Sequence, residues 1–298
     1  MSISIYDKLS AVQITPDNRI TEADRRFCEA HQKAYDHARN GLRSLMKLWD
    51  SLQNEQGEFL NTDVQSTNAF GSYINIDHLR TKDFICGIEH LAYEFIGRLV
   101  RYFNSTYHVE IDSSRVRELL LPKEPDRYKS SAQEENEFHE KLQVLSLRYE
   151  DVLEQIFIQL KGRTFAERAE DEIKMKCHSA AWETYNGAAN FILKNDTLQL
   201  TSYACSCSNW ISPPRWELQS KTKDILRGIA HFELGIFGQY PASFSEILEY
   251  DNRANQKVFY DCVKVQQLKM FKNGRVDIKF ASKEYAEQYV TEYLGNVC

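Results

Sequence analysis

Cys205-Ser206-Cys207, with Cys177-His178 about thirty residues earlier, is the grouping in this chain closest to a metal site. Thiolate and imidazole are zinc ligands, but structural zinc sites pair two chelating motifs of the C-x2-C kind. A C-x-C turns both thiols to one face only on a regular strand. Buried structural thiols are the competing reading. Seven cysteines and eight histidines could also supply a nucleophile and its base, yet no local signature sets such a pair together. Carboxylates offer a third chemistry. Glu167, Glu170, Asp171 and Glu172 are close in sequence, and Glu167 with Asp171 shares a helix face, the kind of acidic cluster that holds Mg2+ in nucleases. Their neighbours Arg168, Lys174 and Lys176 are those of an ordinary solvated helix. No G-x4-G-K-[ST] loop is present, and no G-x-G-x-x-G follows a strand. Catalytic residues, metal ligands and cofactor-binding residues are therefore assigned to no position, and no cofactor is expected.

Two groups suit binding better than turnover. Trp210, Ile211, Pro213, Pro214 and Trp216 gather rigid apolar surface in one turn, fit either to anchor a partner or to cover the chain's own core. Near the carboxy terminus, Lys269, Arg275 and Lys279 surround Phe271 on one hairpin face, interrupted by Asp277. That face suits phosphate or an acidic partner, or is simply a solvated edge. The candidate partner-binding residues are accordingly Trp210, Trp216, Lys269, Phe271 and Arg275.

The hairpin that positions them has a derivable register. A two-residue Asn273-Gly274 loop pairs Lys269 with Ile278 and puts a lysine on the apolar face. A three-residue loop, Lys272 to Gly274 with Gly274 at positive φ, pairs Met270 with Val276, Leu268 with Ile278, and Lys269 with Asp277. The second is expected. A closing helix then runs from Ser282, as cap, to Leu294, with Tyr285, Ala286, Tyr289, Val290, Tyr293 and Leu294 as its apolar stripe and Gly295 as its stop.

Upstream, apolar periodicity predicts a long helix over 22–52, a polar loop over 53–72 with a short strand near Tyr73–Ile76, and a helix over 83–103 that is apolar round half its circumference. A short strand follows at 107–111, then a helix over 113–121 capped by Asp112. Phe138, Leu142, Leu145, Tyr149, Val152 and Ile156 keep a 4-3-4-3-4 spacing, predicting one long helix with a heptad seam that packs in a bundle or pairs with another subunit. If it pairs subunits, charges at Leu142 and Leu145 should yield a helical monomer. Further elements are a helix over 165–182, a hairpin of Phe191–Leu193 with Leu198–Ala204, helices over 221–234 and 243–250 (the latter capped by Ser243), and strands from Val258 onward. The resulting class is helix-rich α+β: long amphipathic helices as bundle or arms, then antiparallel hairpins and helices. Three regions are expected: a helical domain over 1–122, a linker and long-helix arm over 123–185, and an α+β domain over 186–298.

Composition narrows the function classes. With 42% hydrophobic residues the chain can bury a core, and its net charge of −6 argues against a surface wholly devoted to nucleic acid. Cysteines odd in number and scattered along the chain predict reduced thiols and a cytoplasmic protein. No apolar stretch approaches a membrane span.

Phe271-Lys272-Asn273-Gly274-Arg275-Val276-Asp277-Ile278-Lys279-Phe280 and the helix after it resemble the closing module of an uncharacterised domain family common on phages and mobile elements. In length, helical arms and late α+β portion, the chain also resembles the phage-encoded Gabija anti-defence proteins. That second likeness implies a non-enzymatic inhibitor that self-assembles as a homo-oligomer through its arms. It would enclose the host defence complex of nuclease and ATPase, and so block DNA binding or cleavage in the host cell cytoplasm. Direct nucleic-acid binding is then not expected. The rivals are a nucleic-acid-binding accessory protein of a phage or mobile element, and a metal-dependent nuclease.

Overall fold

A computed structural model describes residues 19–60, 80–125, 130–183, 187–201, 203–208, 214–248 and 253–295. The chain forms two compact units, Met1–Ser105 with Ile111–Thr164, and Thr106–Glu110 with Phe165–Cys298. The division falls at Thr164/Phe165, whereas sequence places boundaries at 122/123 and 185/186. The reason lies in the helix Phe165–Ala181. Its Cys177, Ala180 and Ala181 belong to the core of the second unit, so it does not continue an arm.

The first unit is helical. It contains α1 (Glu22–Leu60), most of α2 (Thr81–Tyr107), α3 (Ser113–Leu120), α4 (Ala132–Val144) and α5 (Tyr149–Leu160). Helix α1 continues through Gln53–Leu60, where sequence predicts loop. The expected strand at Tyr73–Ile76 lies outside the described residues. In α2 the residues Ile85, Ile88, Phe95, Ile96, Leu99, Val100 and Phe103 are buried, as the wide apolar face predicts. Tyr35 stacks on Phe95 at 4.6 Å between centroids, and Phe27 on Tyr102 at 3.8 Å. Asp112 caps α3 as predicted, its carboxylate accepting from Ser114 N and Arg115 N.

The long helix over the heptad seam is the main correction. Helix α4 stops at Val144 and α5 begins at Tyr149, with residues 145–148 non-helical. Gln32 of α1 holds the break open: its Nε2 donates to Leu147 O at 3.2 Å, and its Oε1 accepts from Tyr149 N at 2.7 Å. The Asp151 carboxylate accepts Arg148 N at 2.9 Å, and Glu150 and Asp151 sit in the first turn of α5, where carboxylates favour a helix start.

The second unit is α+β. Its sheet has the order β1 (Phe191–Lys194), β2 (Thr197–Leu200), β7 (Val276–Phe280), β6 (Val265–Met270), β5 (Gln256–Val258), and every pairing is antiparallel. A separate two-stranded sheet joins β3 (Cys205–Ser208) to β4 (Arg215–Leu218). Helices α6 (Phe165–Ala181), α7 (Ser220–Leu234), α8 (Ala242–Leu248) and α9 (Lys283–Tyr289) share its core with the sheet. The expected strand at 107–111 is not one. His108 takes φ 55°, and Glu110 N donates to Glu172 Oε2 at 2.7 Å. Helix α8 is capped by a remote group: the Asp261 carboxylate accepts from Ser243 N and from Ser243 Oγ.

The terminal hairpin has the predicted register, with Met270 opposite Val276, Lys269 opposite Asp277 and Leu268 opposite Ile278. Phe271 N donates to Arg275 O at 2.9 Å and Gly274 takes φ 82°, which closes the three-residue loop. Alternation then sends Leu268, Met270, Val276, Ile278 and Phe280 into the core, all at 0% exposure. Ser282 caps α9 by accepting from Tyr285 N. The last turn, Val290–Leu294, is π-helical, with Gly295 N donating to Val290 O at 2.7 Å. A side chain at position 274 meets only ordinary contacts, the nearest being Cys205 O at 3.5 Å, so a substitution there acts through backbone conformation alone. Gly274→Val is therefore expected to lower stability by about 2 kcal/mol. Urea denaturation of the full chain measures it, and an unchanged midpoint contradicts the loop.

Candidate interaction surface

Each chemistry-bearing group has its own environment. Cys177 is fully buried on α6, with Sγ 3.4 Å from Asp224 O and 3.7 Å from Tyr289 Oη. His178, next in sequence, stacks on Trp182 instead. Cys205 and Cys207 do face one way on β3, opposite Leu218 and Trp216. Cys205 Sγ lies 3.5 Å from Phe271 O and 3.4 Å from Arg275 O, so this thiol is a packing group against the hairpin. The six described cysteines are free thiols, and Cys298 lies outside the described residues.

Burial pushes the Cys177 thiol up to about 12, and burial together with Asp24 does the same to Cys28. At pH 8 the exposed Cys86 should therefore be alkylated first, while Cys28 and Cys177 react only on unfolding. The raised values also set a pH dependence. Unfolded thiols ionise near pH 9.0 while the folded ones stay protonated, so this stability is complete below about pH 9 and is lost as pH rises towards about 12. Mass spectrometry after timed iodoacetamide treatment reads the order of modification.

The carboxylates of α6 are engaged separately. Glu172 is 5% exposed, accepts from Arg168 Nε at 2.6 Å and from Glu110 N, and thereby ties the 106–110 segment to its helix. Glu170 pairs with Lys174 Nζ at 2.7 Å. Among the described residues no three His, Cys, Asp or Glu side chains are grouped to hold a metal ion.

The seam residues split by environment. Phe138 and Leu142 pack with Met46 and Ile85, Val152 and Ile156 are fully buried, and Leu145 and Tyr149 are half-buried. The buried members of the seam are thus covered within the first unit and are not a free oligomer interface. Trp216 is a further correction. It is 7% exposed and belongs to the core of the second unit, because β4 pairs with β3 and turns the indole inward. Trp210 lies outside the described residues.

The hairpin corner retains its predicted groups at the surface. The Arg275 guanidinium lies 4.1 Å from the Phe271 ring centroid, and Lys269 Nζ lies 5.4 Å from it. Arg275 Nε is also 3.0 Å from Asp277 Oδ1. Lys279 Nζ, farther along β7, is 3.7 Å from Asp196 Oδ2. Arg275 and Lys269 thus both pack against the Phe271 ring, and Arg275 is paired with Asp277 as well. Two of the corner's cations already have carboxylate partners.

Tyr203 beside this corner was not singled out by sequence. The segment Leu198–Ala204 reads as one strand, so the end of β2 at Leu200 and the turn after it left no local signal.

Comparison of the chain with protein-family models, with curated proteins and with solved structures finds no match in any of the three.

Proposed function

We propose that this chain is a phage-encoded, non-enzymatic inhibitor of a bacterial defence complex of the Gabija type. It binds and encloses the nuclease and ATPase so that DNA binding or cleavage is blocked. The phage origin rests on the likeness of the last forty residues, and the partner on the likeness in length and late α+β portion. The continuous arm over 138–156 no longer belongs to that likeness. The observation that carries an interaction role is the packed cation–aromatic corner of the terminal hairpin. Arg275, Phe271 and Lys269 are held in one arrangement by intrachain contacts, and such preorganised groups lose little entropy on binding. Because Arg275 and Lys279 are offset by Asp277 and Asp196, the same face supports a protein partner better than a phosphate track.

The direct test mixes the purified full-length protein with the purified Gabija complex. Co-elution and loss of DNA cleavage are the expected results, and cleavage at the unaltered rate with separate elution rejects the reading. Enclosure also requires self-assembly through surfaces other than the 138–156 seam. Sedimentation of the protein as a monomer at tens of micromolar rejects enclosure.

A further inference from the structure

Tyr203 combines two unfavourable conditions in one residue. Its φ is 47°, in the left-handed region that disfavours a bulky L-residue, and it is 89% exposed. Backbone contacts fix it there. Ala204 N and Cys205 N both donate to Gly274 O, at 2.8 and 3.2 Å. The tyrosine backbone lies so close to the hairpin loop that a Cβ on Gly274 would be 3.6 Å from Tyr203 N. The Tyr203 backbone is thus held against the hairpin loop that carries Lys272 and is flanked in sequence by Lys269, Phe271 and Arg275. Tyr203 also lines a cavity of about 340 Å³ with Glu183, Asn190, Gln219 and Lys221.

We propose that Tyr203 and the hairpin tip are the surface by which the chain grips its protein partner, the ring entering an apolar slot whose rim carries carboxylates facing Lys269 and Lys272. This rests on the inhibitor reading and names the contact within it. Three observations converge. The residue sits on a backbone at positive φ and is left 89% exposed by its own fold, whereas a partner slot would desolvate the ring. Tyrosine and arginine, the residue types that dominate binding energy at protein interfaces, meet at one hairpin loop. Three cations against one carboxylate at the tip, on a chain of net charge −6, give this corner the opposite sign to the whole and select an acidic rim.

Binding of the full-length protein to the purified Gabija complex, followed by interferometry, tests it. Tyr203→Gly removes the ring and suits the left-handed backbone, so the variant should melt no lower than the parent while its affinity falls at least about tenfold. Lys269→Glu with Lys272→Glu should slow association and flatten its salt dependence. Parent and Tyr203→Gly proteins binding equally would overturn this contact and leave the inhibitor reading intact. A parent that does not bind the complex overturns both. Binding of single-stranded oligothymidylate by the parent, lost in Tyr203→Gly, with no affinity for the complex, assigns the corner to nucleic acid and likewise overturns the proposal.

Discussion

Replacing Gly228 with alanine is expected to destabilise the second unit by about 3 kcal/mol. Helices α6 and α7 cross where Gly228 meets Cys177. An added Cβ would lie 2.2 Å from Cys177 Sγ and 3.0 Å from Tyr289 Oη. Neither neighbour can swing away. Cys177 is fully buried, and Tyr289 is pinned by the bond its hydroxyl donates to Ile225 O at 2.9 Å. Alanine is the better helix former by about 1 kcal/mol, so the clash must exceed that gain for the variant to lose stability. The pair is separable by a double-mutant cycle: Cys177→Ala removes the sulfur, and the combined variant should recover part of the loss. Urea denaturation monitored by circular dichroism gives the four free energies. A Gly228→Ala protein as stable as the parent would mean that the helices do not approach this closely.

Leu142→Glu is expected to cost about 4 kcal/mol or more, since it removes a buried leucine and puts a carboxylate in its place. Leu142 is 1% exposed in the cluster with Met46, Ile85 and Phe138. The expected result is a loss of helical ellipticity at a lower temperature. A seam that joined subunits would behave otherwise, giving a monomer with helicity intact. Leu145→Glu, at a half-buried position in the break between α4 and α5, should cost only about 1 kcal/mol. Sedimentation together with thermal melts of both variants separates the two descriptions, and a stable, helical monomer from Leu142→Glu would reinstate the intersubunit seam.

Those two sites differ in how visible they are in the sequence. Gly228 carries no signal, since a glycine within an amphipathic helix looks the same whether it faces solvent or a sulfur atom. Leu142 carries a strong one, and the heptad spacing correctly marks it as buried. What the spacing leaves out is the partner. The 4-3-4 pattern runs across residues 145–148 as if the helix were continuous, because Leu145 and Tyr149 occupy suitable positions by number. Leu147, off the seam yet 2% exposed, was the residue that did not fit.

Elements governed by neighbours in the chain were legible from sequence. The terminal hairpin is the clearest, because a one-residue slip would put Lys269 on the apolar face and the loop needs a residue that tolerates positive φ. The caps at Asp112 and Ser282 follow the same logic, each satisfying backbone donors two or three residues away. The tertiary structure decided what depends on groups distant in sequence. Gln32 interrupts a helix more than a hundred residues later by taking Leu147 O and Tyr149 N. Asp261 caps α8, pairing with β3 carries Trp216 inward, and the Gly274 carbonyl holds Tyr203 in its exposed turn. Periodicity and turn chemistry are properties of a local window. A hydrogen bond between remote segments has no local trace until the fold brings donor and acceptor together.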